Sequence, residues 1–76
     1  MIGIIGGTGV YTLSGLADVV TQTVATPFGM PSAALQIGRL GATRVAFLAR
    51  HGAQHTLLPQ EINYRANIYA LKALGV

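Results

Sequence analysis

The apolar positions of this chain fall into short runs punctuated by glycine and proline, and a single stretch is long enough for a full helix. Ile2–Ile5 is an apolar run that breaks into Gly6-Gly7-Thr8-Gly9, the pattern of a buried strand leaving through a tight turn. Val19–Thr23 and Ala34–Ile37 are predicted strands, the second ending near Gly38. Between them Thr26–Ser32, "TPFGMPS", is turn chemistry, because Pro27 and Pro31 have no amide hydrogen for a ladder. Arg44–Ala49, "RVAFLA", is mostly apolar with Gly41 before it and Gly52 after it, and is the best candidate for a central strand. A loop follows, "RHGAQHTLLP". The pattern then predicts a helix over Gln60–Leu74, opened after Pro59 and stopped by Gly75. Tyr11–Ala17 holds at most a helical turn, since it is short and contains Gly15.

Strands followed by a helix predict an α/β fold, with a mixed sheet flanked by helices. At 100° per residue, Ile62, Ala66, Tyr69, Ala70 and Ala73 fall on one side of the helix, and Tyr64, Ile68 and Leu71 fall opposite. Arg65 with Lys72, and Asn63 with Asn67, make two polar stripes between them. A helix apolar on two faces needs cover on both, and these strands supply only one layer. The chain also stops at Gly75-Val76, where an α/β protein would begin its next strand. Residues 1–76 are therefore expected to be the amino-terminal portion of a longer single domain.

Composition strengthens that expectation. Hydrophobic residues make up 51% of the 76 residues and charged residues 9%, against about 25% charged in an ordinary soluble domain. This is the composition of a core without its surface. The net charge of +3 comes from five basic and two acidic residues, with no two basic residues adjacent. The pattern does not suit nucleic acid. With no cysteine there are no disulfides or thiolate metal sites. No apolar run approaches the ~20 residues that span a bilayer, and the leading run lacks a signal peptide's basic flank. No membrane association is expected, and the cytoplasm is the expected compartment.

The bare backbone at residues 6–9 invites a nucleotide, but the details disagree. A dinucleotide fold needs a third glycine and an acidic residue about 20 positions on. Here Gly9 is followed by Val10-Tyr11-Thr12, and Thr21, Gln22 and Thr23 stand where the carboxylate should. There is no lysine for a Walker loop. No nucleotide cofactor is expected. The turn still suits an anion, because glycines let several N–H groups converge and Thr8 adds a hydroxyl, although a plain tight turn would look the same. Arg50 and His51 are the candidate cations. They end the most central strand, where open α/β sheets carry their ligand crevices. Arginine offers a planar fork matched to phosphate oxygens, and histidine as a residue type titrates near neutrality. The alternative is that Arg50 caps strand carbonyls and His51 serves only the turn. His55 stands four residues after His51, a metal-pair spacing, but Gly52 and Pro59 argue against the helix such a pair needs, and no metal site is expected. Tyr64, Tyr69, Asn63 and Asn67 are assigned to packing and capping before any ligand, and Phe28 and Met30 to anchoring the proline turn.

Four blocks, "IGIIGGTG", "TPFGMPS", "FLARHGAQH" and "P-x-x-INYRANIYALKALGV", occur here in the order and approximate spacing of the amino-terminal part of the 5′-methylthioadenosine phosphorylases. These belong to the trimeric purine nucleoside phosphorylase family, and the chain resembles them over nearly all its length, with only Tyr11–Val24 lacking a strong match. The resemblance implies a partial nucleoside-phosphorylase fold, a homotrimer in the full-length protein, and no cofactor beyond inorganic phosphate as co-substrate. It implies phosphorolysis of a purine nucleoside or thionucleoside, such as 5′-methylthioadenosine or 5′-methylthioinosine, to free base and pentose 1-phosphate. It also implies that Thr8, Arg50 and His51 bind phosphate, with no catalytic residue in this segment. Two positions depart from the family: Met30 stands where lysine is frequent, and Ala53 where arginine or histidine is frequent. The base pocket and the remaining phosphate ligands are expected beyond Val76, so the isolated 76-residue chain is expected to be inactive.

Two other readings start from the same residues. Arg50-His51-Gly52 matches locally the motif of histidine phosphatases, but there it follows the first strand and here it follows several. A chain retaining these blocks without the rest of the domain could also act only as a folding or assembly piece.

Overall fold

The computed structural model describes residues 1–7, 14–52 and 56–76. Four strands, β1 (Ile2–Gly6), β2 (Ala17–Gln22), β3 (Leu35–Leu40) and β4 (Thr43–Ala49), form one mixed sheet in the order β1-β4-β3-β2. A 3-10 turn at Pro59–Glu61 and the helix α1 (Tyr64–Ala73) follow. β4 pairs parallel with β1, from Ile2 opposite Val45 to Gly6 opposite Ala49, and antiparallel with β3. The expected central strand is therefore interior to the sheet. All seven β4 residues alternate between faces, and its last five are buried on both.

The register sorts the two faces. Ala46 and Leu48 of β4, with Leu35 of β3, pack against Ala70 and Leu71 of α1 in one core cluster. Val45 and Phe47 point to the other face and are equally buried. There Leu16 lies on Gly38 so closely that a Cβ at Gly38 would stand 2.8 Å from Leu16 Cγ and 2.6 Å from the Ala17 carbonyl oxygen. Glycine is required there by the approach of backbone to backbone.

Several boundaries differ from the sequence expectations. β1 runs one residue past the predicted Ile2–Ile5, to Gly6, and among the described residues it is an edge strand, with Ile2 and Ile5 exposed. Its apolar run reads like a strand covered on both flanks, whereas β4 covers only one. β2 starts at Ala17 and β3 continues to Leu40, with Gly38 inside it. Of the possible helical turn at Tyr11–Ala17, residues 11–13 lie outside the described part. Ser14-Gly15 form a turn with Gly15 at φ 83°, and Ala17 is already in β2.

The predicted helix over Gln60–Leu74 divides in two. Pro59 opens a short 3-10 turn whose Glu61 carboxylate accepts from Leu58 N–H (2.8 Å), Ile62 turns inward in extended conformation, and Asn63 caps α1 by accepting from Ala66 N–H (3.1 Å). A side chain that caps so well outcompetes continuation of the preceding turn. At the other end Gly75, at φ 91°, donates to the Lys72 carbonyl (3.0 Å) and Val76 to the Leu71 carbonyl (3.2 Å), a Schellman ending that satisfies the last carbonyls.

The buried arc of α1 is Ala66, Asn67, Ala70 and Leu71, with Leu74 half-buried. That is rotated by roughly a quarter turn, at 100° per residue, from the arc centred on Ala66 and Tyr69 that the apolar pattern suggests. Leu71, expected opposite, lies in the core, and Tyr69 joins Tyr64 and Ile68 on the exposed side. The rotation follows from Asn67, a polar residue that is only 2% exposed because its amide is fully engaged (below).

Candidate functional site

β1 and β4 run parallel in register, so both chains leave the sheet at the same end. Gly6 is opposite Ala49, and the next residues, Gly7 and Arg50, diverge into the two loops singled out in the sequence. Arg50 N–H donates to the Gly6 carbonyl at 2.9 Å, extending the ladder by one bond past the strand ends. The Arg50 side chain then folds back over Gly7. A Cβ at Gly7 would stand 2.9 Å from Arg50 Nη2 and 3.5 Å from Cζ. The guanidinium thus lies on the Gly7 backbone, and only a residue without a side chain permits that approach.

The alternative role for Arg50, capping strand carbonyls with its side chain, finds no support among the described residues. Its Nε is buried and has no hydrogen-bond partner there. A buried guanidinium N–H left unpaired is expensive, so a partner outside the described residues is expected for it.

His51 is 7% exposed. Its Nδ1 lies 3.0 Å from the Leu57 carbonyl oxygen, and its own carbonyl accepts from Leu57 N–H at 3.0 Å. A carbonyl can only accept, so Nδ1 carries a proton in this arrangement, and the ring orientation is locked to the backbone of the loop's far side. The turn between β4 and this clasp closes through Gly52 N–H to the Ala49 carbonyl (3.1 Å), with Gly52 at φ 88°. Arg50 and His51 are therefore held on a short turn stitched at both ends.

Thr8, the third expected ligand, lies outside the described residues, as do Ala53 and His55. The structure brings the Arg50 side chain onto Gly7, the residue before Thr8, and places His51 next to Arg50 on the same turn, with its ring against the Leu57 carbonyl. Among the described residues no group of three or more His, Asp or Glu side chains gathers as a metal site, and no helix is long and apolar enough to cross a membrane.

What the sequence did not reveal is the wall beside this turn. The Thr26–Ser32 segment is a turn, as expected: Thr26 Oγ1 accepts from Phe28 N–H (3.1 Å) and donates to the Gly29 carbonyl (2.6 Å). It is held to α1 by two asparagines. Asn63 Nδ2 donates to the Phe28 carbonyl (2.7 Å); Asn67 Oδ1 accepts from Ser32 N–H (2.8 Å), and Asn67 Nδ2 donates to Ser32 Oγ (3.0 Å). The only local signal was the four-residue spacing of the asparagines, which puts them on one helix face. Their partners lie 35 residues upstream, beyond any local pattern. Away from this site, Phe28, Tyr64, Ile68 and Tyr69, with Arg65 and Lys72 at the rim, line an open apolar groove of about 420 Å³, where Phe28 meets Tyr69 edge to face at 6.0 Å.

No protein-family model matches the chain. Individual proteins do. It is 59% identical over 75 residues to the S-methyl-5′-thioadenosine phosphorylase of Gloeobacter violaceus, covering 99% of this chain and 25% of that protein. It is 57% identical over 75 residues to the probable S-methyl-5′-thioinosine phosphorylase of Xylella fastidiosa, covering 99% of this chain and 32% of that protein. Among solved structures, a methylthioadenosine phosphorylase from an Antarctic soil metagenomic library superposes with a TM-score of 0.88 at 51% identity, over 99% of this chain and 26% of that one. The chain thus spans about a quarter to a third of the length of these proteins, and over that span it has their fold.

Proposed function

We propose that this chain, homologous over its whole length to the S-methyl-5′-thioadenosine phosphorylases, forms the amino-terminal part of a single phosphorylase domain and supplies one wall of its phosphate site. The reaction is phosphorolysis of a purine thionucleoside, of the methylthioadenosine or methylthioinosine type. A phosphate oxygen forms a bond to the anomeric carbon, and the bond to the purine nitrogen breaks with its electron pair leaving on the base. The base takes up the proton that hydrogen phosphate gives up, so the products are free base and a pentose 1-phosphate. The ribose passes through an oxocarbenium-like state, as in glycoside cleavage. The protein's task is to strip water from the phosphate and hold it in line, which is positioning and electrostatics.

In this reading the Gly7–Gly9 turn offers backbone N–H groups, Thr8 a hydroxyl, Arg50 its guanidinium and His51 a ring nitrogen. The observation that carries it is Arg50, folded onto Gly7 with a buried Nε that no described residue satisfies. An oxyanion at the mouth of these two loops would meet a cation already in place. The purine pocket and the contacts of a homotrimer belong, in this reading, to parts of the domain outside these residues, and the 76-residue chain alone does not turn over.

The test is Arg50→Ala in the full-length enzyme. Removing a charge-assisted partner costs about 1.5–3 kcal/mol, or about 10- to 150-fold in kcat/KM for phosphate. The nucleoside KM is expected to change much less. An unchanged phosphate KM and kcat/KM would exclude Arg50 as a phosphate ligand.

A further inference from the structure

The pair Asn67–Ser32 stands out because nothing in the phosphate reading requires it. Asn67 sits in the apolar arc of α1 between Ala66 and Ala70, both fully buried, where a leucine would pack without any polar group to satisfy. Instead it is a buried amide whose two polar atoms are both spent on one residue, Ser32: Oδ1 on the backbone N–H at 2.8 Å and Nδ2 on the hydroxyl at 3.0 Å. One turn earlier Asn63 holds the Phe28 carbonyl at 2.7 Å. The segment 28–32 is therefore pinned to the helix at both its ends. A buried neutral hydrogen-bonded pair adds little net stability over hydrocarbon, but it fixes geometry that hydrocarbon packing leaves loose.

The geometry it fixes faces the phosphate turn. The Ser32 carbonyl oxygen borders Gly52: a Cβ built there would stand 3.4 Å from it and 3.3 Å from the Thr56 hydroxyl. Gly52 is buried, adopts φ 88°, and follows directly on Arg50-His51. The turn is closed on one side by Gly52 N–H to the Ala49 carbonyl and on the other by the His51–Leu57 clasp, and the Ser32 carbonyl is the backbone group of segment 28–32 that borders it.

We propose that Asn67 is a positioning residue for the phosphate turn: by holding the Ser32 backbone against Gly52 it fixes the turn that carries Arg50 and His51. This rests on the phosphate reading above. It acts through Ser32 and touches no substrate.

The experiment is steady-state phosphorolysis by the full-length enzyme with phosphate and nucleoside varied separately, using Asn67→Leu, Ser32→Ala, their double variant, Ser32→Thr, and Arg50→Ala as reference. Thermal unfolding reports which variants fold. Asn67→Leu keeps the branched shape with bulkier methyl groups and loses both bonds, and is expected to raise the phosphate KM about 5- to 10-fold, while Ser32→Ala raises it about 2- to 3-fold. The nucleoside KM stays within about two-fold for both. The double variant is no worse than Asn67→Leu alone, because both changes break one interaction. Ser32→Thr keeps the hydroxyl and retains the parent phosphate KM. If Asn67→Leu does not fold, Ser32→Ala against Ser32→Thr carries the test. A raised phosphate KM in Arg50→Ala with no change in folded Asn67→Leu and Ser32→Ala overturns the positioning role and leaves the phosphate reading standing. Equal rises in the phosphate and nucleoside KM in those variants also overturn it, since they mark a general structural effect. An unchanged Arg50→Ala removes the phosphate reading itself, and the positioning role with it.

Discussion

The contact between Gly7 and Arg50 allows stability and function to be pulled in opposite directions by one methyl group. In Gly7→Ala the new Cβ would stand 2.9 Å from Arg50 Nη2, whereas unstrained contacts of this kind lie near 3.5 Å or more. The atom it meets is the far end of a flexible side chain, so the guanidinium recedes by roughly 0.5 Å while the backbone stays. Gly7 is not among the glycines with positive φ, so alanine is not strained there. A tolerated glycine-to-alanine change stabilises by about 0.4–1 kcal/mol through the unfolded chain. The displaced guanidinium, however, loses alignment with an oxyanion held between the loops. If that forfeits about a third to a half of a charge-assisted hydrogen bond, the loss is about 1 kcal/mol, or roughly five-fold in kcat/KM for phosphate. The expected result is therefore an unchanged or slightly raised melting temperature together with a lower phosphate kcat/KM and a preserved nucleoside KM. The assays are differential scanning fluorimetry and initial rates of base release with phosphate varied. Parent-like phosphate kinetics in a folded Gly7→Ala protein would refute the idea that the observed Arg50 pose is the binding pose. A large drop in melting temperature would refute the claim that the guanidinium, and not the backbone, absorbs the clash.

Further expectations concern packing and exposure. Gly38→Ala drives a Cβ to 2.6 Å from the Ala17 carbonyl oxygen; backbone cannot swing aside as a guanidinium can, so denaturant titration is expected to give a loss of about 1–3 kcal/mol, and a neutral result would mean that the chain at Leu16 is loosely held. The 76-residue chain purified alone is expected to associate through the groove at Tyr64 and Ile68, which are 56% and 60% exposed. Light scattering should read a mass above the monomer, reduced by Ile68→Lys. A monodisperse parent monomer that releases free base from methylthioadenosine and phosphate would overturn both that association and the need for the rest of the domain.

Much of the architecture was legible in the residues themselves. The apolar run from Arg44 to Ala49, framed by glycines, was the best candidate for an interior strand, because a half-exposed strand would alternate. Pro27 and Pro31 forced a turn because neither can donate to a ladder. Gly75 ended the helix because the αL position suits a residue without a Cβ. The four sequence blocks carried the homology to methylthioadenosine phosphorylases, and Arg50-His51 stood out because seven charged residues in 76 leave few candidates for chemistry. Tertiary structure decided the rest. Whether Ile2–Ile5 is an edge or an interior strand depends on which neighbours pair with it, and its own residues carry no record of that. The rotation of α1 depended on Asn67, which hydropathy assigns to solvent and the fold buries, because a partner 35 residues away satisfies both ends of its amide. The approach of Arg50 to Gly7 followed from the parallel pairing of β1 with β4, which makes two loops distant in sequence leave the sheet side by side. Local pattern reports what a residue prefers. Pairing over long sequence separation decides which preference is met, and here that pairing assembles the candidate site.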